Sequence, residues 1–133
     1  KLQNIIGDSS LQNILFLKDP NLKVGDSRIS SNKDSLKKIV SHFILNEKNK
    51  KGLPINDVAR FHLGNGAIVD DIVVNANVSN VGYERSFGIM VNYMYELKKI
   101  EYNHEEYINN KRVIYSDKVK KYLKWDTFSM DLL

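Results

Sequence analysis

Apolar side chains fall at helical spacing most clearly after Asp34, where Leu36, Ile39, Val40, Phe43 and Ile44 follow an i, i+3, i+4, i+7, i+8 pattern. The spacing predicts an amphipathic helix that buries all five on one face. Asp34 or Ser35 can cap its first turn. Lys48, Lys50 and Lys51 suit the negative end of its dipole, Asn46 to Asn49 mark a fraying end, and Gly52 reads as the stop. Upstream, residues 9–17 can form a short helix with Leu11, Ile14 and Leu15 on one side. Asp19-Pro20-Asn21 and Gly25-Asp26-Ser27 then break the pattern, and the polar residues 26–33 read as a loop.

Beyond Pro54 the helical period is lost, and an irregular stretch leads into residues 57–67. There Gly64 and Gly66 flank Asn65 as a turn with positive φ. Residues 67–74, rich in Ile and Val, predict a strand. Ser79 can cap a short helix over residues 80–87. Residues 88–95 (Gly-Ile-Met-Val-Asn-Tyr-Met-Tyr) predict the strongest strand, apolar on both faces apart from Asn92 and so covered on both. Asn103 with Glu106 reads as a capping box opening a short helix to Asn109. Ser116 caps a last helix with Val119, Tyr122 and Leu123 as its apolar stripe. No internal repeat is visible, and the pattern is mixed α and β.

Composition narrows the chemistry. The 133 residues suffice for about one domain. There is no cysteine, which excludes disulfides, thiolate nucleophiles and cysteine-based metal sites. The net charge of +4 fits a lysine-rich solvated surface, and a basic balance also suits nucleic acid, a membrane surface or a phosphorylated ligand. No aromatic-basic motif for nucleic acid, no transmembrane run and no secretory signal is seen. The first residue is Lys1, which fits a fragment or a processed product.

Three histidines stand far apart, at positions 42, 62 and 104, with no metal-ligand spacing. His42 lies off the apolar stripe and is expected to be solvated, and His104 falls in the first turn of a capped helix. His62, between Phe61 and Leu63 and before the Gly-Asn-Gly turn, is open to a structural or a catalytic reading. The turn itself can cradle an anion through backbone N–H groups, or simply reverse the chain. Tyr93 and Tyr95 share one strand face, an arrangement usual for core packing with hydroxyls that reach a partner. Ser41, Ser79 and Ser86 carry no nucleophile-elbow signature.

Residues 57–67 (Asp-Val-Ala-Arg-Phe-His-Leu-Gly-Asn-Gly-Ala) resemble the Pro-Val-Ala-Arg/Asn-Phe-His-Leu-x-Asn-Gly-Ala segment of malonyl-CoA decarboxylases. Residues 88–95 are similar to that family's Gly-Leu-Met-Val-Asn-Tyr-x-Tyr, at a matching distance without gaps. Residues 100–107 resemble the Ile-Glu-x-Asn-His-Glu-x-Tyr of bacterial members, and the resemblance covers about residues 36–124.

The resemblance implies residues 1–34 as a lead-in and residues 35–133 as the C-terminal part of a GNAT-like acyltransferase fold, a mixed α/β arrangement with an antiparallel strand pair and flanking helices. It implies conversion of malonyl-CoA to acetyl-CoA and CO2 without metal or cofactor. His62 would be the catalytic histidine, acting as proton donor or thioester polariser, with Tyr95 as auxiliary. Asn65, Gly66 and Asn92 are candidate substrate contacts. The expected partners are a CoA thioester, the remainder of the polypeptide N-terminal to Lys1, and further copies in a homo-oligomer, with no nucleic acid and no membrane. The expected compartment is the cytoplasm or the mitochondrial matrix.

The family's serine lies in a Leu-Ser-Pro-x-Pro-Gly-Phe segment. Neither Pro20 nor Pro54 fits it, and a loop for the CoA pyrophosphate is also missing, so this chain alone is expected to be inactive. The chain departs from the family's residues at Asp71, Val74, Asn75 and Asn77. Those departures keep open a second reading, a non-catalytic module on the same fold. The His62 motif argues against a third, a CoA-dependent acetyltransferase. The geometric expectation is that strands 67–74 and 88–95 pair antiparallel, which brings the His62 ring and the Tyr95 hydroxyl within about 10 Å in one cleft.

Overall fold

A computed structural model describes residues 14–124. A 3-10 turn at Leu15–Lys18 precedes helices α1 (Ser27–Ser31), α2 (Lys33–Asn46) and α3 (Asp57–Gly64). Strand β1 (Ile68–Val73), helix α4 (Asn80–Ser86) and strand β2 (Met90–Met94) follow. After a second 3-10 turn at Leu97–Lys99 come α5 (Ile100–Asn110) and α6 (Asp117–Lys124). Most of the helix 9–17 expected from sequence lies outside the described residues.

The two strands pair antiparallel, with Ile68 opposite Met94 and Val73 opposite Met90. The start of β1 therefore lies beside the end of β2, as the geometric expectation required. Val69 faces Tyr93 while Asp71 faces Asn92, so Asp70 is an extra residue in a bulge. The outer edge of β1 is held by the segment before α6: the Val69 N–H donates to the Ile114 carbonyl, and the Ser116 N–H to the Val69 carbonyl, both at 3.0 Å. Ser116 also donates from Oγ to the Asp70 carbonyl and caps α6 by accepting from the Val119 N–H.

The main core gathers Ile44, Leu45, Ala59, Leu63, Val69, Ile72, Tyr107, Val119 and Tyr122. A smaller cluster joins Ile14, Ile29, Leu36 and Tyr83, and Ile89 packs against both. The apolar stripe foreseen on α6 is thus in place, as is the Ser79 cap of α4, whose Oγ accepts from the Gly82 N–H.

Several expectations are corrected. The loop 26–33 contains α1, since Asp26 caps it through a bond from the Arg28 N–H and Ile29 is fully buried. Helix α2 stops at Asn46 rather than running to Gly52. Asn49 Oδ1 accepts from the Lys51 and Leu53 N–H groups, drawing this backbone into a turn bridged by Lys48 and Pro54. On α2, Leu36 and Ile44 are buried and Ile39 and Val40 half-buried, but Phe43 is 41% exposed. The covered arc is rotated toward the buried Ser41 and Leu45, and α2 packs against α6 and β1. His42 is half-buried, its Nδ1 accepting from Asn46 Nδ2, rather than solvated. Strand β2 is covered on one face only, with Met90, Asn92 and Met94 exposed. Helix α5 begins at Ile100, so Asn103 sits inside it and makes no cap.

Candidate active site

His62 stands in the last turn of α3, not in irregular chain. Asn56 caps this helix by accepting from the Ala59 N–H, and Asp57 adds negative charge to its first turn. Arg60 fixes the approach of the chain by donating to the Pro54 and Ile55 carbonyls. Ala59 and Leu63 turn into the core while Val58 and Phe61 stay exposed. The helix ends at the glycine pair, where Gly66 has φ +91°.

The antiparallel register carries Tyr93 and Tyr95 to this helix end. The Tyr95 hydroxyl lies 2.6 Å from His62 Nδ1, inside the expected limit. Tyr93 stacks on the imidazole with ring centres 4.4 Å apart and planes 18° from parallel. Phe61 meets the same ring edge-on at 5.2 Å. Burial, with the neighbouring Tyr95 second, pushes the Tyr93 hydroxyl up to about 12, so Tyr93 is a neutral phenol against the imidazole at neutral pH. The residues alone left both tyrosines to core packing and the family resemblance singled out Tyr95, although two tyrosines two residues apart on one strand point to the same face.

His62, Tyr93 and Tyr95 border an open cavity of about 530 Å³ with Asp70, Val91, Asn92 and Met94. Asp70 enters this lining from the bulge, and nothing in the sequence marked it. Of the other candidates, Asn92 lines the cavity, whereas Asn65 and Gly66 do not. Asn65 donates from Nδ2 to the Phe61 carbonyl. In the Gly64-Asn65-Gly66 turn, open to an anion cradle or a simple reversal, the Asn65 and Gly66 N–H groups donate to the carbonyls of His62 and Leu63, as in a simple turn. Ser41 is fully buried, Ser79 caps α4, and Ser86 bonds the Gly82 carbonyl. Among the described residues, no three His, Cys, Asp or Glu side chains gather to hold a metal ion.

A family model described as the malonyl-CoA decarboxylase C-terminal domain matches residues 2–132. The chain belongs to the malonyl-CoA decarboxylase family. The mitochondrial malonyl-CoA decarboxylase of Rattus norvegicus is 34% identical over 84 residues, which are 63% of this chain and 17% of that protein. The solved malonyl-CoA decarboxylase from Rhodopseudomonas palustris superposes with a TM-score of 0.79 at 32% identity, covering 88% of this chain and 27% of that one. For the enzyme from Agrobacterium vitis the values are 0.75 and 30%, over 84% and 28%. The chain therefore spans about a sixth of the length of the curated relative it matches. The family match also takes in most of residues 1–34, which the motifs left uncovered. No helix among the described residues is long and apolar enough to cross a membrane.

The departures from the malonyl-CoA decarboxylase pattern have partners in the fold. Asp71 Oδ1 accepts from the Ile72 N–H and the Tyr122 hydroxyl, tying β1 to α6. Asn75 takes the left-handed conformation at φ +56°, which asparagine tolerates, and donates to Ser30 Oγ. Asn77 Oδ1 accepts from the Ser79 N–H and Oγ, two bonds that an acidic residue would also make. Val74 packs against the smaller core cluster.

Proposed function

We propose that this chain is the histidine-bearing part of a malonyl-CoA decarboxylase, with His62 and Tyr95 as its share of the catalytic groups. The observation that carries the reading is the 2.6 Å contact between His62 Nδ1 and the Tyr95 hydroxyl at the cavity wall. With Tyr95 donating, the neutral imidazole holds its proton on Nε2, the nitrogen that Tyr95 leaves for a ligand.

In the reaction, the bond between the α-carbon and the carboxylate breaks and CO2 departs. The electron pair moves into the thioester as an enolate, and the α-carbon takes up a proton to give acetyl-CoA. Donors aimed at the thioester oxygen stabilise that enolate. Nε2–H of His62 either supplies this bond or delivers the proton, and the Tyr95 hydroxyl holds the ring in the required tautomer. Serine from a Leu-Ser-Pro-x-Pro-Gly-Phe segment would be the second donor, in an acyltransferase-like fold completed by the rest of a decarboxylase polypeptide. A CoA thioester is the substrate in this reading, and homo-oligomeric assembly in the cytoplasm or the mitochondrial matrix accompanies it. Because Asp71, Asn75 and Asn77 each serve the fold, none of them argues for a site that has been lost.

Two outcomes test this. The 133-residue chain alone is expected to release no CO2 from malonyl-CoA, and steady release by it would refute the need for a second segment. In a decarboxylase polypeptide carrying both segments, Tyr95→Phe is expected to lower kcat by about tenfold, the loss of roughly one net hydrogen bond. An unchanged kcat would remove Tyr95 from the chemistry.

A further inference from the structure

We infer that Asn103 and His104 of α5 are positioning residues for His62, clamping the turn that follows it. The carbonyls at a helix C-terminus lack partners within the helix and fray unless something outside holds them. At the end of α3 the carbonyl of its last residue, Gly64, and that of Gly66 in the following turn are held from one place. Asn103 Nδ2 donates to the Gly66 carbonyl at 3.1 Å, and His104 Nδ1 donates to the Gly64 carbonyl at 2.6 Å. The two backbones touch beside these bonds: a Cβ built on Gly66 would lie 2.5 Å from the Ile100 carbonyl oxygen.

The clamp reaches His62 through the main chain. The His62 carbonyl accepts from the N–H groups of Asn65 and Ala67, both at 3.1 Å. Gly64 and Gly66 alternate with those two donors, so fixing their carbonyls fixes the donors and with them the His62 backbone. The side chain then has little freedom, because its ring is stacked on Tyr93 and bonded to Tyr95. Asn103 is only 4% exposed, and burying a carboxamide is costly unless its bond is needed. Side chains from α5 thus govern whether the imidazole meets Tyr95, although neither Asn103 nor His104 lines the cavity. The inference uses the assignment of His62 above for its catalytic meaning, while the coupling itself is readable without activity.

The test is the long-range proton–nitrogen NMR spectrum of the His62 imidazole in the full chain, assigned with His62→Gln. The unsubstituted protein is expected to show one dominant tautomer. Asn103→Ala and His104→Ala should each shift the His62 nitrogens toward a mixture of tautomers, while the amides of Val69 and Ile72 stay protected from exchange. His104→Asn should restore the spectrum, since its Nδ2 falls where the imidazole Nδ1 was. Should Asn103→Ala fail to fold, His104→Ala decides, because that side chain is exposed. His62 signals unmoved in a folded His104→Ala protein would overturn the inference. In a complete decarboxylase the same substitutions are expected to lower kcat about ten- to a hundredfold with KM within about twofold, as misplacement of a reacting group does. A raised KM at constant kcat would also overturn it. If His62→Ala leaves decarboxylation intact, the catalytic reading fails while the tautomer shift still reports on the clamp.

Discussion

Gly66→Ala is expected to destabilise the chain by about 3–4 kcal/mol, among the larger effects a single substitution can have. Two costs add. Gly66 holds φ +91°, where an L side chain is strained by roughly 1–3 kcal/mol. Its new Cβ would also lie 2.5 Å from the Ile100 carbonyl oxygen and 2.7 Å from Ile100 Cγ2. The first is backbone at the start of α5, so relief requires moving a helix rather than rotating a side chain. Against a stability of about 5–15 kcal/mol for a domain, this is a large share. Thermal unfolding followed by circular dichroism should show Tm lowered by roughly 10–15 °C. Gly25→Ala is the control: its φ is +78° but nothing lies within 4 Å of the added carbon, so only the conformational cost of roughly 1–3 kcal/mol remains, without the clash. Equal Tm values for the two variants would show that the α5 contact carries no weight.

What the chain reveals before folding depends on whether a signal is periodic. The strand pair, the Ser79 and Ser116 caps and the stripe of α6 were legible because each repeats at a fixed spacing or pairs a cap with a helix. Helix α3 was not: its exposed face carries Val58 and Phe61 while its buried face offers Ala59 and Leu63, so apolar residues mark both sides. The five-residue helix α1 has one buried apolar side chain, Ile29, too few to show a period. The turn after α2 depends on one amide side chain, Asn49, competing for two backbone N–H groups.

At the site, the meeting of His62 and Tyr95 followed from a family motif together with antiparallel pairing. The bulge at Asp70 and the donors from Asn103 and His104 could not be foreseen in the same way. Their partners are backbone carbonyls and a register shift, which leave no residue type behind in the sequence.

His62→Ala is expected to have the largest effect on activity, a loss of about 10²–10⁴-fold in kcat, the usual contribution of a general acid or base. The imidazole is the group bonded to Tyr95 and stacked on Tyr93 at the cavity wall, and alanine replaces neither its proton nor its ring. The fold should survive, since His62 is half-buried and the core beneath α3 is made by Ala59 and Leu63. His62→Gln keeps a donor of similar reach but cannot deliver a proton to carbon. It therefore separates the two tasks: partial retention favours polarisation of the thioester, and a loss equal to that of alanine favours proton delivery.

The most direct measurement is CO2 release from malonyl-CoA by a decarboxylase polypeptide carrying this segment, compared with its His62→Ala variant at matched circular dichroism. The predicted result is turnover in the first and a loss of at least about a hundredfold in the second. Near-equal turnover in a correctly folded variant would contradict the assignment of His62.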